Sequence, residues 1–272
     1  MKISLPQRLH KYYDKKHNLY LIKTELQQTD ADLLVFPELF LTGYHIRDRL
    51  SELAEPINGK LVQGLAKLVK KQGCALIFGM PELDTVQRSR IFNTAVFIDK
   101  NGNVNQYRKT HPVNFGPFEE KRYYHEGNKL PIFEVDGTKL GVIICYDIFF
   151  PELAKIYALR GADLIIDISA APTTSRPFFE TMIPARALES TVFFAYSNLI
   201  GPEKNLTFFG GNTVVDGRGN QLVKGKYLEE DDVEVEIDPK ELEFVRANRP
   251  TLRDSRVELF KTLLELMEPK LH

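Results

Sequence analysis

Short runs of apolar, β-branched and aromatic residues recur along this chain, and between them the hydrophobic spacing switches to that of a helix. The runs are Leu33–Phe36, Ala75–Phe78, Thr94–Ile98, Leu140–Ile144, Leu164–Ile168, Val192–Ser197 and Asn212–Val215. They read as buried strands, whereas alternating Val233-Glu-Val-Glu-Ile237 reads as a strand with one wet face. Helical spacing predicts a helix over Lys15–Thr29, with Leu19, Ile22 and Leu26 on one face, and another over Lys60–Lys71, with Leu61, Leu65, Leu68 and Val69, stopped by Gly73. Two more are predicted over Glu152–Leu159, ending at Gly161, and over Glu180–Ser190, where Pro184 introduces irregularity. Turn residues at Asp99–Asn103, Asp136-Gly137 and Asp216–Asn220 join neighbouring strands as hairpins. Strands that alternate with helices but are interrupted by hairpins build mixed rather than purely parallel sheets. No stretch rich in Pro, Gly or Ser divides the chain, so residues 1–272 read as a single domain.

The charge balance narrows the function. A formal net charge of −1, with Lys and Arg interspersed among Asp and Glu, offers no general attraction to nucleic acid or to a membrane surface. No apolar run approaches the length of a membrane span. The two cysteines, Cys74 and Cys145, and a start that reads as a short strand (Met1–Pro6) lead to an expectation of a reducing, cytoplasmic setting with both thiols free.

Three segments carry groups that can do chemistry. In Gly141-Val-Ile-Ile-Cys145-Tyr-Asp147, a buried strand runs into a cysteine, and Phe149-Phe150-Pro151-Glu152 reads as a helix start. A thiol there is held rigidly yet reachable, with unpaired backbone N–H groups beside it that can stabilise negative charge. The plainer alternative is a small buried hydrophobe at a strand end. Leu33–Glu38 repeats the theme with a carboxylate, which near apolar walls can serve as a general base, although a solvated loop glutamate is the plainer reading of that segment alone. Tyr107-Arg108-Lys109 offers an ammonium that can hold an oxyanion and keep a neighbouring thiolate ionised; against it stands a surface basic pair. Phe115–Tyr124 mixes aromatic and charged residues and reads either as a pocket-lining loop or as an exposed turn. The histidines are scattered, His111 being the best placed for a Cys–His dyad, and no spacing suits a metal or a nucleotide phosphate.

Phe36-Pro37-Glu38 with Thr42-Gly43-Tyr44, Tyr107–His111 and Gly141–Glu152 together resemble the nitrilase superfamily of carbon–nitrogen hydrolases. Arg160–Asp163, Ala185–Glu189, Gly210–Thr213 and Arg249–Asp254 extend the resemblance, in family order, over nearly the whole chain. It implies a four-layer αββα sandwich with two mixed sheets face to face. It also implies a catalytic set: Cys145 as nucleophile, Glu38 as general base and Lys109 as oxyanion holder helped by the Tyr146 N–H. Glu120 would be the second glutamate, with neighbouring Glu119 the competing choice, and Tyr44 and Ala170 would be substrate-binding positions. No cofactor or metal is implied. The reaction would be hydrolysis of a small amide or N-carbamoyl compound by water through a thioester.

The family also implies a homodimer formed through the helices near Pro151–Arg160 and Glu180–Ser190. Phe178-Phe179 and Met182-Ile183 suit burial there, and an amphipathic tail over 252–271, within a segment beginning near 250, is expected to reach over the partner. Thr110-His111-Pro112 and Phe178-Phe179 depart from the usual family residues and are expected to reshape the substrate pocket. A nitrilase acting on a nitrile and a catalytically silent binding protein on the same fold are the alternatives kept open. A glutaminase domain serving a synthetase and a thiol protease fit less well. Arg176, in the loop after Ser169–Pro172, is a candidate partner for a substrate carboxylate, with a solvated loop arginine as the plainer reading.

Overall fold

The computed structural model describes residues 1–87 and 89–268; the end of the expected tail helix, 269–272, lies outside the described residues. The strands are β1 Lys2–Gln7, β2 Leu33–Val35, β3 Glu55–Pro56, β4 Ala75–Leu83, β5 Ile91–Ile98, β6 Val104–Arg108, β7 Phe133–Val135 and β8 Thr138–Ile144, then β9 Leu164–Ser169, β10 Phe193–Asn198, β11 Ile200–Glu203, β12 Leu206–Phe209, β13 Thr213–Val215, β14 Gln221–Lys224 and β15 Asp231–Glu236. The helices are α1 Lys15–Gln28, α2 Leu50–Leu53, α3 Lys60–Gln72, α4 Glu120–Tyr123, α5 Pro151–Leu159, α6 Arg176–Ser190, α7 Glu241–Asn248 and α8 Val257–Met267.

One sheet runs in the order β15-β1-β2-β4-β5-β6, with β3 beside β4; the other runs β14-β13-β10-β9-β8-β7. Both are mixed. β1, β2 and β4 are parallel, as are β8, β9 and β10, and the hairpins at the edges are antiparallel. All three turns expected from sequence join strands; two further hairpins, β4–β5 and β11–β12, had no turn signal strong enough to be read.

Period-two alternation explains why the strands look apolar throughout. Ile3, Leu33, Val35 and Ile77 of the first sheet meet Val142, Ile144, Ile166 and Phe193 of the second in a buried inter-sheet core. Their neighbours Leu34, Phe36, Leu76 and Phe78 turn to the other face, where Ile22, Leu26, Leu65 and Val69 of α1 and α3 cover them. Ile143, Ile165 and Phe194 are covered in the same way by Leu153, Tyr157, Ile183 and Ala187 of α5 and α6. Two sheets between two helical layers make the four-layer sandwich; the central strands are buried on both faces, while edge strand β15 keeps Asp232, Glu234 and Glu236 exposed, the wet face expected from its alternation.

Local signals fix the ends of the helices. Gly73 closes α3 with φ +71°, and Pro151 takes the first position of α5. α6 starts earlier than expected, at Arg176, and continues through Pro184. Phe179 and Ile183 are buried in the chain's own core, which corrects their expected burial at a dimer contact; Phe178 remains exposed. Among the described residues no helix is long and apolar enough to cross a membrane.

Candidate active site

The two sheets bring their loops together at one end of the sandwich. Glu38 arrives there from β2. Phe36 still bonds to the Ile77 carbonyl at 2.8 Å, after which Leu39 adopts φ +49° and reverses the chain. That turn presses on β4 where only a glycine fits: a Cβ on Gly79 would lie 2.2 Å from the Leu39 nitrogen and 2.6 Å from the Pro37 oxygen. Glu38 is fully buried. Its Oε1 accepts from Asn93 at 2.6 Å and from Lys109 at 2.8 Å, and its Oε2 accepts from the Ala170 N–H at 2.8 Å. A solvated loop glutamate is thereby ruled out. Ala170, expected to bind substrate, instead directs its N–H at Glu38.

Lys109 follows β6, and alternation sends it and Arg108 to opposite sides. Arg108 reaches outward to Glu82 and lies over the Phe92 ring at 3.8 Å. Lys109 turns inward and has no exposed surface, so the surface-pair reading fails for it. Its backbone is clamped by bonds to Asn93 and Gly127, and a Cβ on Gly127 would strike the Arg108 oxygen at 2.1 Å. The ammonium sits 2.8 Å from Glu38 and 2.9 Å from Glu120.

Glu120 opens α4 and is fixed to the preceding loop. Its N–H donates to the Val113 carbonyl at 2.9 Å, and its Oε2 accepts from the Val113 N–H at 3.1 Å. Tyr44 donates to Glu120 Oε1 at 2.6 Å. Glu119 points away and pairs with Arg47 at 3.2 Å, so Glu120 is the glutamate that joins the cluster.

Cys145 comes from the second sheet. It follows β8 and begins a 3-10 turn, Cys145–Phe149, with φ +51°, a conformation that costs a non-glycine residue energy. Its N–H donates at 2.7 Å to Oδ1 of buried Asp167, while Asp167 Oδ2 has no protein partner among the described residues. Tyr146 is the second residue of the turn, where an N–H has no intrahelical acceptor. Asp147 is not part of the cluster: it ties the site to the first sheet, accepting from Tyr107, Thr110, the His111 N–H and the Ile144 N–H at 2.7–3.1 Å. His111 Nδ1 also lies 3.0 Å from Asp147, and its ring stacks on Phe150, so no Cys–His dyad forms.

The electrostatics follow from burial. Burial first, then Glu38, push the Cys145 thiol well above its ordinary value, and Lys109 only partly opposes them. That direction favours the protonated thiol, the form from which a general base such as Glu38 takes a proton, over a thiolate kept ionised by Lys109. Burial alone would lower Lys109, but Glu120 and Glu38 outweigh it and hold the ammonium charged. Burial raises Glu120 above the usual carboxylate range despite Lys109. It raises Asp167 further, against the bond from Cys145. Burial likewise pushes Cys74, which is free and remote in sequence, up to about 12.

A cavity of about 340 Å³ opens over Cys145. Tyr44, Tyr146, Ala171, Val113, Phe118, Phe149 and Phe179 line it, together with Phe115 and Phe178, whose side chains are exposed. Thus the Phe115–Tyr124 loop lines the pocket, and Phe178-Phe179 shape it as expected. Of the other departure, Thr110–Pro112, no residue lines the cavity; it acts through Asp147. Arg176 is turned elsewhere, 3.9 Å from Glu180 and over the Tyr227 ring. Among the described residues no group of three or more His, Cys, Asp or Glu is arranged to hold a metal ion.

Asn93, Asp167 and Glu203 were missed in the sequence. Each had a signal, a polar residue inside or beside an apolar strand pattern. Glu203 accepts the Tyr44 N–H at 3.0 Å and binds His10 at 2.8 Å behind the site.

This arrangement has counterparts in known proteins. The carbon–nitrogen hydrolase family profile matches residues 3–247. An (R)-stereoselective amidase from Pseudomonas sp. is 32% identical over 262 residues, 95% of this chain and 93% of that protein. A 2-oxoglutaramate amidase from Bacillus subtilis is 33% identical over 237 residues, 87% of this chain and 89% of that protein. A crystal structure of the amidase from Nesterenkonia sp. AN1 superposes with a TM-score of 0.82 at 31% identity, covering 97% of this chain and 99% of that one. A mutant of that amidase shows covalent addition of the acetamide moiety of fluoroacetamide at the active-site cysteine, and another was solved in complex with butyramide.

Proposed function

Since this chain belongs to the carbon–nitrogen hydrolase family and is a cysteine-dependent amidohydrolase, we propose that Cys145 is its nucleophile and that Glu38, Lys109 and Glu120 do the acid–base and electrostatic work. The observation that carries this is the buried Glu38–Lys109–Glu120 row, at 2.8 and 2.9 Å, set against a thiol on a strained turn.

The protonated thiol gives its proton to Glu38 as sulfur attacks the amide carbonyl, forming a tetrahedral oxyanion. An ammonium has three donors, and Lys109 directs two at the carboxylates, leaving the third for that oxyanion beside the Tyr146 N–H. Collapse of the oxyanion breaks the carbon–nitrogen bond, the nitrogen taking the proton held by Glu38, and ammonia or an amine leaves. Water then gives a proton to Glu38 and attacks the thioester; the carboxylic acid departs and the thiol is restored. Tyr44 and the backbone of Val113 fix Glu120, so Lys109 is held from both ends. The buried carboxylates also repel the product carboxylate, which favours its release.

Residues 1–272 act as one hydrolase domain in this reading, in the cytoplasm, where its two free thiols persist. It works as a homodimer. Val257, Leu259, Phe260, Leu263, Leu264, Leu266 and Met267 of α8 are 45–74% exposed, an apolar surface that a second copy would cover. The test is ammonia release by Cys145→Ala and Cys145→Ser variants that keep the wild-type melting behaviour. Loss of turnover is expected, and wild-type turnover in either would end the proposal.

A further inference from the structure

The cavity over Cys145 holds a second message, about the acyl half of the substrate. Val113, Phe115, Phe118, Phe149, Phe178 and Phe179 supply most of its wall, and no Lys, Arg, His, Asp or Glu lines it among the described residues. Two of the aromatic side chains, Phe115 and Phe178, are 55% and 60% exposed and carry the apolar surface out to the mouth. The cation nearest in sequence, Arg176, is engaged by Glu180 and Tyr227. Lys109, which does not line the cavity, is already shared by Glu38 and Glu120.

These facts decide what can occupy the space. A neutral hydrocarbon tail gains by leaving water for such a wall. A tail ending in a carboxylate would have to lose hydration against this apolar wall with no positive partner in the lining. At about 30 Å³ for each water-sized group, 340 Å³ has room for roughly ten heavy atoms. We infer that this enzyme selects amides of uncharged, apolar carboxylic acids, medium-chain aliphatic or arylalkyl, and discriminates against amides whose acyl chain ends in a carboxylate. The inference rests on the amidohydrolase reading above and adds the substrate class to it.

Steady-state ammonia release by the full-length enzyme tests this with acetamide, butyramide, hexanamide, phenylacetamide, glutaramate and the methyl ester of glutaramate. The ester has the same chain without the charge. From acetamide to hexanamide, kcat/KM should rise about fourfold per added methylene, the equivalent of about 0.8 kcal/mol per buried CH2. Glutaramate should fall at least about 100-fold below its methyl ester. Glutaramate turned over as well as its ester, or a flat aliphatic series, overturns the inference while leaving the amidohydrolase intact. Release of ammonia from none of the six overturns the reading beneath it as well.

Discussion

Replacing Lys109 by Met would test whether the cluster is held as an ion triad. The side chain is fully buried, and its ammonium is the positive charge shared by Glu38 and Glu120, which are 0% and 4% exposed. Methionine fills much the same volume but leaves two carboxylates facing each other without a counter-charge. Breaking a buried ion pair by removing one partner costs about 3–5 kcal/mol. At about 2 °C per kcal/mol for a chain of this length, the melting temperature should drop by about 6–10 °C. The loss has a pH signature. With Lys109 gone, burial of Glu120 is no longer opposed by the ammonium and raises its folded-state value further above the unfolded one. The folded protein then holds a proton that the unfolded chain has released, so stability falls as pH rises from the ordinary glutamate range through the folded value. The deficit should therefore be smaller at pH 5 than at pH 8. Lys109→Met/Glu120→Gln removes one of the two carboxylates and should be less destabilised than Lys109→Met alone. Urea unfolding of the wild type and both variants at the two pH values measures all of this. A single variant within 1 kcal/mol of wild type at pH 8, or worse at pH 5, would refute the reasoning.

Three further outcomes are expected. Asp167→Asn keeps an acceptor for the Cys145 N–H and removes an acid that burial raises, so it should retain activity within about threefold and gain stability as pH rises above the ordinary aspartate range; Asp167→Leu, which has no acceptor, should lower kcat by about tenfold or more, read by ammonia release. Burial works against Glu203, but His10 and His45 outweigh it and hold its carboxyl down at about 2. The drop from 4.5, at 1.36 kcal/mol per pH unit, gives about 3 kcal/mol of stability that is present above pH 4.5 and lost as pH falls toward 2. Glu203→Gln should show that deficit at pH 7 and little of it near pH 2 by denaturant unfolding. Ending the chain at Arg256 removes a helix with no buried residue, so light scattering should report a dimer for the whole chain, as proposed, and a monomer for the shortened one, whose melting temperature moves by less than about 2 °C.

Much of the fold was legible because period-two burial and turn chemistry are local. Asn101-Gly102 and Asp136-Gly137 marked hairpins, and the runs at Leu33 and Leu164 marked strands covered on both faces. Glu38 and Lys109 were harder. A glutamate after a strand and a lysine at the end of a hairpin are solvated in most settings, and only the approach of Gly79 and Gly127 encloses them here. Their identity as a pair came from the family resemblance, not from local physics. The rise of the Cys145 thiol above its ordinary value was not legible, because the sequence shows Lys109 and hides the burial that outweighs it. Asp167 was passed over because five apolar or hydroxyl neighbours, Leu164 to Ser169, read as an ordinary strand. Its partner, the Cys145 N–H, lies just past the end of another strand, 22 residues away.

The central claim is that turnover passes through a thioester on Cys145. Acid-quenching the enzyme during hydrolysis of hexanamide, followed by intact-protein and peptide mass spectrometry, tests it most directly. The expected result is a mass increase equal to the acyl group in place of one hydrogen, mapped to the peptide containing Cys145 and absent from Cys145→Ala. Steady turnover with no acyl adduct, or an adduct on Cys74 instead, would contradict the account.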